Sequence, residues 1–388
     1  MTTGVEGSIL KKHMPTLDGL RGSACIWVVF AHFDRAHLPM LIDLKTAHLT
    51  VVLFFILSGF LMGYLYLDKP FTARNAADYM TARIARVVPL FWLVMIGCYV
   101  MSVLAGPGFV HFIDFKEFMR LMTFTGSAYS FWSVAPEMQF YVIFLGLWWV
   151  WTRTSETRTI AIVATIAAAI TLMWIGPVFP GTFVFSKMHL FLIGIVLSRL
   201  ALQLPDSEAL GRSAIIQTLQ TAAFGFLMLL AISPAFSTAA FSFIEPHYQP
   251  EFAETWIPVY ADMRWSLLMG AFLLLFTIDT PLCRMLLGNR FFVLAGQYSF
   301  SIYLLHTLVL ADVQKLLIGT GMSAPFVMII GLVAIAGVSA ASYQIIERGG
   351  QRLVRRHLTP VGHRIADMAD TVWARISNRG TGDLKPSA

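Results

Sequence analysis

Charge is what this 388-residue chain has least of: Asp, Glu, Lys and Arg make up only 13% of it. Soluble domains carry about 25%, so the composition excludes a soluble enzyme and a disordered chain. Cysteine is nearly absent. Cys25, Cys98 and Cys283 each lie in or beside an apolar segment with no metal-ligand spacing, which excludes a disulfide framework and gives no reason to expect a zinc site. No small-residue cleavage site follows Lys11 and Lys12, so no cleavable signal peptide is expected. There is no repeat of fixed period, and no inverted pair of broken helices of the kind that transporters use. No soluble domain is expected at either end.

Apolar residues are abundant instead, at 57%, with a mean hydropathy of +0.70. A helix needs about 20 apolar residues to cross the hydrocarbon of a bilayer. Ten stretches qualify: roughly 19–40, 50–68, 84–105, 131–151, 159–178, 183–203, 212–233, 264–280, 292–311 and 324–345. The expected fold is therefore all-α, a polytopic membrane bundle of about ten transmembrane helices. With the N terminus inside, Lys69, Arg74, Arg83, Arg86, Arg153, Arg158, Arg199, Arg284, Arg290 and the basic tail fall on one side. Arg35, Lys45, Lys116, Arg120, Lys187, Arg264 and Lys315 fall on the other. The bias fits the positive-inside rule with both termini cytoplasmic. It makes anionic lipid, not nucleic acid, the partner of the net charge of +6. Residues 1–347 read as one transmembrane domain, and 348–388 as a basic cytoplasmic tail that frays after a first turn or two. The loop at about 234–263 carries Glu245, His247, Tyr248, Glu251, Glu254, Trp256, Tyr260 and Asp262. That mixture suits a carbohydrate-facing surface, and equally an ordinary extracytoplasmic loop.

Ionisable groups inside a span are functional candidates by default. Arg21 and His32 are eleven residues apart, which on a helix is within about 20° of three full turns and roughly 16 Å along the axis. Both are expected on one face, looking into one passage, with Asp18 one turn before Arg21. The alternative has Arg21 snorkelling to headgroups and His32 at the opposite interface. Glu137 follows Pro136 at the expected start of a helix, near the outer mouth of a span, in a block that also holds Trp132, Ser133, Gln139 and Tyr141. Its aromatics suit an interfacial belt equally well. Ser299, Tyr303 and His306 share a helical stripe, either lining a polar channel or fastening the bundle by hydrogen bonds. Arg83 and Arg86, one turn apart, have the fork geometry for a phosphate, although topology alone also accounts for them.

These segments, in this order, resemble the acyltransferase-3 family of integral membrane acyltransferases. The resemblance runs through Leu17-Asp18-Gly19-Leu20-Arg21 with His32, then Phe54-Phe55-Ile56-Leu57-Ser58-Gly59-Phe60 and Arg83…Arg86…Pro89. It continues in Trp132-Ser133…Glu137…Gln139-Phe140-Tyr141, Tyr298 to His306, and Glu347-Arg348. Met138 stands where the family often has a second acidic residue, Pro136 replaces an aliphatic, and Gly349 stands where proline is common. The resemblance implies transfer of an acyl group, usually acetyl, from acyl-CoA (acetyl-CoA above all) to a hydroxyl of a glycan or oligosaccharide, across a bacterial inner membrane and without a metal. It implies His32 as general base or acyl carrier, Arg21 on the donor, and Arg83 and Arg86 on CoA phosphates. It implies Glu137 as a catalytic residue that binds acceptor hydroxyls or tunes His32, and assigns Trp132, Ser133, Gln139, Tyr141, Tyr303 and His306, with Glu137, to the acceptor. The rival readings are a proton-coupled exporter using His32, Glu137 and His306 as a relay, and a non-enzymatic scaffold.

Overall fold

Each of the ten apolar stretches carries a helix in the computed structural model, which describes residues 14–33, 44–154, 157–204, 210–242, 258–317 and 320–380. In chain order these helices are α1 (Pro15–His32), α2 (Leu44–Tyr66), α3 (Ala73–Ala105), α4 (Val134–Arg153), α5 (Arg158–Ile175), α6 (Met188–Ala201), α7 (Ala214–Ile232), α8 (Met263–Phe276), α9 (Ser299–Leu317) and α10 (Ala324–Ser342). A last helix, α11 (Arg348–Gly380), follows. No strand occurs among the described residues. Helices α2, α3, α5, α7, α9 and α10 are long and apolar enough to cross a membrane, and α6 and α8 are shorter apolar helices. Lys11, Lys12, Arg35, Lys385 and the loop residues Glu245, His247, Tyr248, Glu251, Glu254 and Trp256 lie outside the described residues.

Close helix crossings hold the site in place. In a membrane, where lipid is as apolar as leucine, helices associate by packing, and small residues let backbones approach. Gly59 and Gly63 of α2, four residues apart, face α6. A side chain at Gly59 would run into the backbone of Phe191, and one at Gly63 into Ser198. Gly194 of α6 faces the backbone of Ile56 in return. Gly59→Leu is therefore expected to part α2 from α6 and to destabilise the bundle by about 3 kcal/mol or more. Gly146→Ala, where an added Cβ meets nothing within 4 Å, is expected to be neutral. Thermal aggregation of the two variants in detergent distinguishes them.

The ninth stretch is broken. Arg290–Gln297 forms its own short helix, and α9 begins only at Ser299. Gly296 backs onto the backbone of Asp18, while Gly19 and Gly22 of α1 back onto Leu287 and Phe292. The break is closed by hydrogen bonds from Ser299 Oγ to Gly296 O (2.8 Å) and from Cys25 Sγ to Ser299 O (3.3 Å). Irregular backbone at membrane depth persists where neighbouring helices satisfy it. The glycines around Arg21 thus serve the α1 crossing that sets its height.

The tail differs from expectation. It does not fray after a turn or two but stays helical to Gly380, joined to α10 through a π-helical turn at Tyr343–Glu347. The reason is tertiary. Gly350 sits on Pro89 and Gly362 on Ala77 of α3, His363 meets the Asp78 carboxylate at 2.7 Å, and Arg74 pairs with Asp367 at 3.8 Å. Together with the bidentate Arg199–Asp68 pair (2.9 Å for both bonds), these contacts mark one end of the bundle, called the basic end below.

Candidate active site: two cavities meeting at Tyr303

The side chains singled out by the sequence gather around two cavities instead of one passage. The first, about 60 Å³, lies towards the basic end and is lined by Arg21, Ser58, Arg86, Glu137, Tyr141 and Tyr303. Glu137 Oε1 accepts hydrogen bonds from Tyr141 Oη (2.6 Å) and Ser58 Oγ (2.9 Å). Glu137 is not at the outer mouth, as expected, but inside the bundle. The turn Tyr129–Ser133 that precedes α4 buries Phe131 and Ser133, and the first residues of α4, Val134 to Pro136, are buried after it. Arg21 and Arg86 face this space as like charges, with Glu137 and Asp18 as counter-charges to Arg21. None of the ion pairs closer than 4 Å among the described residues involves either arginine. Two guanidiniums without an ion-pair partner in a narrow space have the chemistry to hold an anion, because the fork of each is shaped for phosphate or carboxylate oxygens.

Arg83 does not join them. Its guanidinium lies over the Tyr141 ring at 5.6 Å, and its Nε is buried without a hydrogen-bond partner. It packs behind the cavity wall and does not line it. In the sequence Glu347 stands out only through the late Glu347-Arg348 motif. It is buried at the π-helical turn, where its Oε2 accepts from Ser301 Oγ (2.9 Å) within electrostatic reach of Arg86 and Arg21.

The second cavity, about 520 Å³, opens on the other side of Tyr303 and is lined by His32, His48, His111, Ser130, Trp132 and Thr307 among others. His32 and His306 meet edge to face, with ring centroids 4.8 Å apart. His32 Nδ1 lies 2.8 Å from Val28 O and His306 Nδ1 lies 2.7 Å from Tyr303 O. A carbonyl oxygen only accepts, so in each neutral ring the proton sits on Nδ1 and the lone pair on Nε2. The His306 Nε2 atom is buried without a hydrogen-bond partner. The two carbonyls thus hold both imidazoles, when neutral, in the Nδ1–H tautomer that leaves the lone pair on Nε2.

Tyr303 and Val51 line both cavities, and Tyr303 is the polar side chain between them. Its hydroxyl donates to Ser130 O (2.8 Å) and accepts from Ser133 Oγ (2.7 Å), and Ser130 Oγ is 3.0 Å from Thr307 Oγ1. Arg21 and His32 therefore belong to the same helix but to different chambers, and Glu137 lies across Tyr303 from the two histidines. Trp132 lines the second cavity, packed edge-on against Phe55 and Tyr260, with Lys187 Nζ 5.8 Å from the centre of its ring. Gln139 reaches neither cavity. Its amide donates to Phe124 O (2.7 Å) and Thr182 O (3.0 Å) and accepts from Val184 N (2.9 Å), tying two loops together. Ser58, His48, His111, Ser130 and Thr307 had no assigned role in the sequence. They are distant along the chain, and no local spacing links them. No cluster suited to a metal ion occurs among the described residues.

His111 lies in the segment between α3 and the helix Phe115–Met122, buried against the Tyr129 ring at 4.7 Å. Burial lowers its pKa from 6.5 to about 4. The unfolded chain then takes up a proton near pH 6.5 that the folded protein refuses until about pH 4, so stability falls as pH falls through that window. Thermal melts between pH 7 and 4 are expected to show this loss in the parent protein and a flatter profile in His111→Gln.

No curated protein and no solved structure matches the chain. The family model described as an acyltransferase domain matches residues 14–343, nearly the whole length and every element that builds the two cavities. The chain therefore belongs to the acyltransferase-3 family of membrane acyltransferases.

Proposed function

We propose that this acyltransferase moves an acyl group, acetyl in the simplest case, from acyl-CoA at the basic end to a hydroxyl of a cell-surface or exported glycan at the other. The basic end faces the cytoplasm, and the membrane is the inner membrane of a bacterium. The observation that carries this reading is the pairing of the chambers: two arginines without an ion-pair partner among the described residues on the wall of one, His32 on the wall of the other with His306 packed against its ring, and Tyr303 as the polar side chain lining both.

The chemistry follows from the residues. Arg21 and Arg86 hold anionic oxygens of the donor, and Glu137, held by Ser58 and Tyr141, keeps Arg21 in place. Displacement of the Tyr303 ring joins the chambers and brings the thioester carbonyl to the acceptor. The acceptor oxygen attacks that carbon, its proton passes to Nε2 of His32, the C–S bond breaks, and CoA leaves as the thiolate, which is then protonated. A thioester needs little activation, so the catalytic task is to deprotonate a neutral hydroxyl, and a base with an ordinary pKa near 6.5 suits it. The second cavity's His, Ser, Thr and Trp side chains supply hydrogen bonds and a ring face for a polyhydroxylated acceptor.

The test is twofold. Acyl content of surface glycans, read by mass spectrometry with and without the chain, is expected to differ. In proteoliposomes, CoA release from acetyl-CoA is expected to require acceptor and to survive collapse of the proton gradient. Gradient-dependent efflux without CoA release would replace this reading with the exporter.

A further inference from the structure

A third cavity, about 420 Å³, adjoins the histidine chamber from the side. It lies between α3 and α9, is lined by Gly97, Met101, Ala105, Gly108, Leu308 and Asp312 among others, and shares Val110, His111 and Ala311 with the chamber. The gap is built in by small residues: a Cβ added at Gly97 or Gly108 would meet no atom within 4 Å. The α3 face that lines it is itself apolar and exposed at Met101 (45%), with Leu104 (75%) beside it, as suits a helix bathed in lipid. Asp312 and Lys315, one turn apart on α9, line the same cleft and are exposed. The cleft therefore combines an apolar exposed flank and the charged pair Asp312 and Lys315, and it meets the chamber at His111, with His32 on that chamber's wall.

That sequence of surfaces matches an amphiphile. A water-soluble acceptor has no use for an opening flanked by lipid-facing helix, whereas a polar headgroup on a hydrocarbon chain meets its complement at each step. We propose that the cleft between α3 and α9 is a lateral portal through which a membrane-anchored acceptor, a hydroxyl-bearing headgroup on a long hydrocarbon chain, enters from the bilayer and presents its hydroxyl to His32. The inference rests on the proposed acyltransfer reading for the last step, but the route itself does not.

The experiment uses the full chain in proteoliposomes with two probes. One is octadecyl glucoside carrying a diazirine in its alkyl chain, and the other is water-soluble methyl glucoside. Photolabelling is expected on peptides covering residues 94–105 and 308–315. It is expected to fall at least about tenfold in Gly97→Trp and in Ala105→Trp, two independent ways of filling the cleft, and to persist in Leu93→Trp, on exposed α3 surface outside it. The ratio of transfer to the alkyl glucoside over transfer to the methyl glucoside is expected to fall in the same two variants. Label located elsewhere, or unchanged in both cleft variants, overturns the portal. A parent protein that releases no CoA with either probe overturns the catalytic reading instead, and the photolabelling still decides the route.

Discussion

His32→Gln is expected to slow acyl transfer by about 10²–10⁴-fold, the usual contribution of a positioned general base, while leaving protein abundance and thermal stability near those of the parent. Glutamine reproduces the volume and a hydrogen bond to Val28 O, but it cannot take a proton. His32 makes that bond at 2.8 Å and lies partly exposed on a wall of the larger cavity, so little packing is lost. His306→Gln is expected to cost less in rate and more in stability, because that ring is fully buried and bonded to Tyr303 O. The measurement is the initial rate of CoA release in proteoliposomes at saturating donor. An unchanged rate for His32→Gln removes the residue from the chemistry.

The second large effect concerns the donor. Arg21→Gln and Arg86→Gln are each expected to raise KM for acetyl-CoA by about 10–100-fold, corresponding to loss of one charge-assisted hydrogen-bonding group worth about 1.5–3 kcal/mol. Arg21→Lys is expected to recover only part of the loss, because an ammonium is a point charge and not a fork. Arg83→Gln separates binding from packing. Its guanidinium lies on the Tyr141 ring and lines neither cavity, so the expected result is reduced thermal stability with KM little changed. Equal KM effects at positions 83 and 86 would place the phosphates along the outer face of α3 and contradict the chamber geometry.

Arg21, Arg86, Glu137, His32, Tyr303 and His306 were all legible as candidates because an ionisable or hydroxyl group within an apolar stretch is costly, and that cost is visible in one dimension. Where each of them points was not. Gln139 stands within a candidate block yet ties Phe124, Thr182 and Val184 together, since an amide serves loop carbonyls as readily as a ligand. Arg83 and Arg86 have the same side chain one turn apart, and only the position of Tyr141 separates a buried stacking partner from a cavity wall.

Helix content followed from local rules. An apolar run of sufficient length forms a helix in a bilayer whatever its neighbours, because each backbone group must bond within the segment. The break at Tyr298 and the persistence of α11 to Gly380 obey no such rule, since both depend on contacts with α1 and α3. His48 and His111 enter the second chamber for a similar reason, brought there by loops and crossings distant in sequence.

The amino-acid order by itself thus determined the membrane class, the helical segments and the candidate residues for the chemistry, all of which follow from hydropathy and from the cost of burying charge. Only the tertiary structure decided that Arg21 and His32 line separate chambers, that Tyr303 lies between them, and that Arg83 and Gln139 line neither. Those facts depend on where helices cross, and a crossing is set by close backbone contact between residues far apart in the chain.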